Sequence, residues 1–154
     1  MRLSVSKRSA LLLAVLLLTM LATDRVSTAT PPPPLPNPVV IFMGPEYYET
    51  GGKQWTRYRY LVTNLDQYQN ELFAAAPDLP PCGSNAKSSR TWVDIFDQGG
   101  KRLYGFCALG NRDGLGKLWF AMETGVVPPS WIYIEMNDRK TNTKYKSNLV
   151  ETTE

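Results

Sequence analysis

Six carboxylates fall in close pairs along the chain. Glu46 and Glu49 flank a tyrosine pair, Asp94 and Asp97 lie in TWVDIFD, and Glu135 and Asp138 lie in IYIEMND. Two carboxyls held about 5–10 Å apart across a cleft, one with a raised pKa, can hydrolyse a glycosidic bond. The chain contains no histidine, so this pool is the only general acid–base chemistry open to it. The same absence removes Ser-His-Asp and Cys-His nucleophile pairs, His-ligated zinc or copper, and haem held by histidine. Two cysteines cannot form a four-thiolate zinc or iron–sulfur site. No Gly-x-Gly-x-x-Gly run is present, and no cofactor is expected. Asp97 precedes Gln98-Gly99-Gly100 and Asp138 precedes a loop, which are ordinary turn positions. Asn111-Arg112-Asp113-Gly114 lacks the regular spacing and terminal glutamate of a calcium loop. It reads as a turn, with no metal expected.

Aromatic rings beside charges are the second candidate. In WTRYRYLVTN (55–64) alternation sets Tyr58, Tyr60 and Val62 on one face and Trp55, Arg57, Arg59 and Leu61 on the other. In SWIYIEMND (130–138) the face Ile132, Ile134, Met136 opposes Trp131, Tyr133 and Glu135. Rings exposed next to charges suit sugar stacking or a protein contact, because they offer area at low entropic cost. The competing reading covers these rings with loops. The speculative ligand-binding set is therefore Trp131, Tyr133, Trp55, Arg57 and Arg59. Trp92 and Trp119 sit inside apolar runs and read as core.

The elements that must position these residues are strands. VVIFM (39–43) is a short apolar run ended by Gly44-Pro45, and Thr50-Gly51-Gly52-Lys53 is a hairpin turn. TWVDIFD (91–97) joins KRLYGFCAL (101–109) through Gln98-Gly99-Gly100. GKLWFAM (116–122), residues 130–138 and a last strand near 143–149 complete seven or eight strands, the spacing of a sandwich or small barrel. Between Asp66 and Ala76, Tyr68 and Leu72 are four apart, Asp66 is a candidate N-cap and Pro77 stops the run. That segment reads as loop or a short helix.

The N-terminus reads as an export signal. Arg2, Lys7 and Arg8 precede an apolar run from Ala10 to Ala22, too short to span a bilayer comfortably. Ser27 and Ala29 place small residues for cleavage between Ala29 and Thr30. The alternative is an uncleaved anchor. The destination expected is the periplasm or the medium, with membrane contact only through the signal segment before cleavage. Thr30 to Pro38 (TPPPPLPNP) is an extended proline-rich spacer, 39–150 the β-sandwich domain and 151–154 a flexible C-terminal tail. The formal charge of +3 comes from 17 basic and 14 acidic residues. Removing Arg2, Lys7, Arg8, Arg25 and Asp24 with residues 1–29 leaves 13 of each. Nucleic acid is not an expected partner, since neutralising phosphates needs a basic stripe. Carbohydrate or another exported protein is.

Cys82, in a Pro-Pro-Cys-Gly loop, and Cys107, inside a predicted strand, form a disulfide by default in an exported chain. Closing a loop of this length would stabilise the fold by about 3–4 kcal/mol. Redox catalysis is the alternative, but thiol oxidoreductases usually hold their cysteines as Cys-x-x-Cys.

LPPCGSN (79–85), SRTWVDIFD (89–97), GKRLYGFCALG (100–110), LGKLWFA (115–121), IYIEMNDRK (132–140) and YKSN (145–148) together resemble a family of small uncharacterised exported bacterial proteins. The resemblance covers nearly all of 38–150. It implies an immunoglobulin- or fibronectin-III-like β-sandwich and a disulfide, and it carries no catalytic residues. The reading is an all-β, antiparallel, immunoglobulin-like sandwich of seven to eight strands with one disulfide, acting by binding or structure without catalysis. The alternatives are a small carboxylate-dependent polysaccharide hydrolase and a secreted protease inhibitor presenting loop 77–90.

Overall fold

The computed structural model describes residues 34–81, 89–107 and 110–153. The export segment, the cleavage position Ala29/Thr30, Cys82 and residues 82–88 of loop 77–90 lie outside the described residues. Eight strands are seen among them: β1 (Val40–Thr50), β2 (Lys53–Val62), β3 (Thr91–Asp97), β4 (Arg102–Cys107), β5 (Leu118–Glu123), β6 (Trp131–Asp138), β7 (Thr143–Lys146) and β8 (Val150–Glu151). They form two antiparallel sheets, one ordered β1-β2-β5 and one ordered β4-β3-β6-β7, with β8 pairing the first residues of β6. Among the described residues no helix is long and apolar enough to cross a membrane.

Period-two alternation builds the core between the sheets. Tyr58, Tyr60 and Val62 of β2 and Leu118 and Phe120 of β5 point inward from one sheet. Val93 and Ile95 of β3, with Ile132, Ile134 and Met136 of β6, face them from the other. Burying each large side chain contributes roughly 1.5–3 kcal/mol. The rings of Phe42, Tyr60, Phe120 and Tyr58 pack in series at centroid distances of 5.4, 5.9 and 5.0 Å.

Several local expectations are corrected. Gly44-Pro45 does not end the first strand. Gly44 takes φ +98°, and the register slips between Phe42 and Gly44, so β1 continues through a bulge to Thr50. Gly51 and Gly52 both take positive φ, as a two-residue hairpin requires. Residues 65–67 and 70–73 are two 3-10 turns, in keeping with the loop or short helix expected there. Asp66 lies within the first turn, and Asn64 holds the N-cap position. The turns bury Tyr68, Leu72 and Phe73, and the Tyr68 hydroxyl donates to the Pro36 carbonyl at 2.9 Å. Leu35 packs on the core and Asn64 donates to the Asn37 carbonyl, so the end of the proline-rich stretch is part of the folded unit.

The first residues of β1 are closed by a side chain standing in for a strand. Asn148 accepts from the Val40 N–H at 2.8 Å and donates to the Val40 carbonyl at 3.0 Å. Val40 is buried, so removing Asn148 orphans both backbone groups. Asn148→Ala is expected to cost about 2 kcal/mol, read as a lower denaturant midpoint at unchanged m-value. An unchanged midpoint would mean that water replaces the amide without loss.

Candidate functional site

The alternation that buries Tyr58 and Tyr60 turns Trp55, Arg57, Arg59 and Leu61 to the outer face of the three-stranded sheet. On β5, Leu118 and Phe120 point inward, so Trp119 stands on that same outer face. Register brings the pieces together: Arg57 pairs with Glu46 on β1 and Ala121 on β5, and Arg59 pairs with Trp119.

Arg57 is the most constrained residue of this face. Its guanidinium carbon lies 4.8 Å from the Tyr48 ring centroid and 4.7 Å from that of Trp119, one ring from each neighbouring strand. Its Nη1 donates to Glu46 Oε2 at 3.3 Å. Buried Nε has no acceptor, and neither has Nη2 among the described residues. Because Nε is enclosed, Nη2 is the donor of this guanidinium left to an incoming oxyanion. Trp119 is steadied in turn by Tyr104, stacked at 5.0 Å, and by Phe106, edge-on at 6.1 Å. Each cation–π contact contributes roughly 0.5–1 kcal/mol and fixes the plane of the guanidinium.

Beside Arg57 opens a cavity of about 280 Å³. Arg57, Arg59 and Lys117 supply the cations of its lining, and Met43 and Leu61 apolar surface. Glu46 is the one carboxylate in its lining, and Arg57 engages it. Arg59 and Lys117 are exposed and form no ion pair with any described residue. The cavity therefore carries two positive charges without a counter-charge. Trp55 stands nearer the hairpin end, opposite Tyr48 and Glu123, and does not line it.

Trp131 and Tyr133 lie on the outer face of the other sheet, so the five candidate residues do not make one site. Tyr133 stacks on Phe96 at 5.3 Å, with Lys146 Nζ 3.9 Å over its ring. Trp131 is 39% exposed. The carboxylate pairs resolve into structural roles. Asp94 sits directly opposite Glu135 across β3 and β6, but Arg102 holds the first at 2.7 Å and Lys144 the second at 2.7 Å. The Lys144 ammonium is held above its ordinary range by its hydrogen bond to Glu135 and that group's charge. Gly105 makes the Arg102 bridge possible, because a Cβ there would collide with both partners. Asp97 accepts from the Lys101 N–H across its turn, and Glu49 accepts from Gln54. Asp138 is buried against Arg90. Asn111 accepts from the Asp113 N–H and caps a 3-10 turn at 112–116. Among the described residues no three His, Cys, Asp or Glu side chains gather as a metal site.

Trp92 and Trp119 are not core, as the sequence suggested. Trp92 is half-buried on an outer face under the Arg139 guanidinium, 5.1 Å away, and Trp119 lies by Arg57. Within a continuous apolar run the alternate positions still point outward, and Val93 and Leu118 take the core places. The partners that sequence reasoning missed are Trp119, Lys117, Tyr48 and Glu46. The same alternation, applied to β5, would have placed Trp119. Compared with protein-family models, curated proteins and solved structures, the chain matches none.

Proposed function

We propose that this protein is an exported, non-catalytic recognition module with an immunoglobulin-like fold, and that its binding face is the outer surface of β1-β2-β5. The observation that carries the reading is Arg57: a guanidinium held by two rings and one carboxylate, lining an open cavity beside the unpaired, exposed Arg59 and Lys117. Preorganised charge of this kind costs little further order on binding. The strand order supports the fold reading. Strands β1, β2 and β5 form one sheet, and β3, β6 and β7 share the other, the division of an immunoglobulin Greek key. The fourth strand pairs with β3 rather than β5. The positively charged leader and small-x-small site support export, and export makes a Cys82–Cys107 disulfide part of the reading. Against a hydrolase stand the carboxylates themselves, since Asp94, Glu135 and Asp138 each face a cation.

The test passes the purified protein over immobilised polysaccharides and envelope extracts, with released sugar assayed alongside. Retention without turnover is expected, with about tenfold weaker retention for an Arg57→Gln, Arg59→Gln double variant. Trp131→Ala should be retained like wild type. Released sugar, or retention indifferent to the arginines, would contradict the reading.

A further inference from the structure

The lining of the cavity combines two chemistries, and that combination points to a ligand class. Arg59 and Lys117 offer cations with no counter-charge beside Arg57, and Met43 and Leu61 offer apolar surface. Met43 is 48% exposed, a large apolar side chain left uncovered on a strand face. Both faces of a stacking platform are lacking here: Trp119 is engaged by Arg57 and by Tyr104. Sugar stacking on that ring is thus disfavoured, whereas an oxyanion meets the exposed, unpaired Arg59 and Lys117.

Resting on the reading of this face as the recognition surface, we infer that the cavity binds an organic carboxylate with a compact apolar body. The carboxylate oxygens accept from Arg59 and Lys117, with Arg57 Nη2 as the further donor, and the body packs on Met43 and Leu61. Lys117 follows the 3-10 turn at 112–116, whose last residue, Gly116, lies against Leu61 with 3.4 Å between its would-be Cβ and the leucine methyl. A side chain at 116 would crowd Leu61 at the lining of the cavity. The volume of about 280 Å³ suits one such group rather than a long chain. The same chemistry has two sources, a free aliphatic acid or the C-terminus of a peptide ending in an apolar residue.

Titration followed by tryptophan fluorescence and calorimetry separates these. The probes are hexanoate and N-acetyl-leucine, each against its neutral amide, with inorganic phosphate as a bare anion. Saturable binding of at least one carboxylate is expected, at least tenfold tighter than its amide and than phosphate. The tighter of the two acids identifies the source. Binding should weaken about tenfold in Arg59→Gln and in Lys117→Gln, exposed positions whose loss leaves the Arg57 contacts in place. It should also weaken with added salt, and should not change in Trp131→Ala. No saturation by either acid, equal binding of acid and amide, phosphate binding as tightly, or indifference to both cation variants would overturn the inference. If those failures came with envelope retention that still depends on Arg57 and Arg59, the ligand class alone would fall. Loss of that dependence would remove the recognition face itself.

Discussion

Asp138→Ala should lower the unfolding midpoint by about 10–20 °C. Asp138 ends β6 opposite Thr91, at the start of β3, and is 2% exposed. Arg90 grips it with both ends of its fork, Nε to Oδ1 at 3.1 Å and Nη2 to Oδ2 at 2.7 Å. The Lys140 N–H donates to Oδ1 at 3.1 Å. Removing the carboxylate leaves a partly buried guanidinium and a backbone donor without an acceptor. Breaking a buried pair in this way costs roughly 3–5 kcal/mol, and at this domain size each kcal/mol moves the midpoint about 3–4 °C. A fall of less than 3 °C, on the order of 1 kcal/mol, would mean that Arg90 finds another acceptor.

The pH dependence follows from the same contacts. Burial pushes the Asp138 carboxyl up, but the Arg90 hydrogen bond, the Lys140 N–H and the Arg90 charge outweigh it and hold the group below its ordinary 3.8. A depressed folded-state pKa means that the unfolded chain takes up its proton first as pH falls. The stabilisation is therefore complete above 3.8 and is lost as the pH drops through the folded-state value. Wild type should lose stability more steeply than Asp138→Asn in that acid window. Equal slopes would contradict the assignment.

Reduction of the proposed Cys82–Cys107 bond is the second large effect, about 3–4 kcal/mol for a loop of this length. Cys107 closes β4 opposite Trp92. Over Trp92 lies Arg139, whose Nη2 donates to the Pro80 carbonyl at 2.6 Å. The chain two residues before Cys82 is thus tied to the strand pair that carries Cys107. Unfolding with and without reductant should show the loss in wild type and none in a Cys82→Ser, Cys107→Ser double variant. An unchanged wild-type midpoint would mean that the cysteines are not bonded.

How much of this was legible in the residues depended on whether a signal was local. Thr91–Asp97 and the faces of β2 and β6 were readable because Tyr58/Tyr60/Val62 and Ile132/Ile134/Met136 alternate with polar or large exposed neighbours. The first strand was cut short because Gly44-Pro45 looks like a terminator, whereas a bulge absorbs it in register with Arg59 and Tyr58. Trp92 and Trp119 were misplaced because a run such as LWFA hides its own alternation among uniformly apolar residues. Arg57 and Arg59 were visible as outward arginines. Their partners were not, since the pairing of Arg59 with Trp119 joins residues sixty apart in sequence and no local pattern encodes it. Likewise, nothing local announced that Trp131 belongs to the opposite sheet from Arg57.

The recognition face is tested most directly by amide chemical-shift mapping of the protein with the envelope or polysaccharide fraction that it retains. The account predicts that shifts concentrate on residues 57–61 of β2 and 116–119 before and within β5. Shifts centred instead on Trp131, Tyr133 and Phe96, with β2 and β5 unmoved, would contradict it.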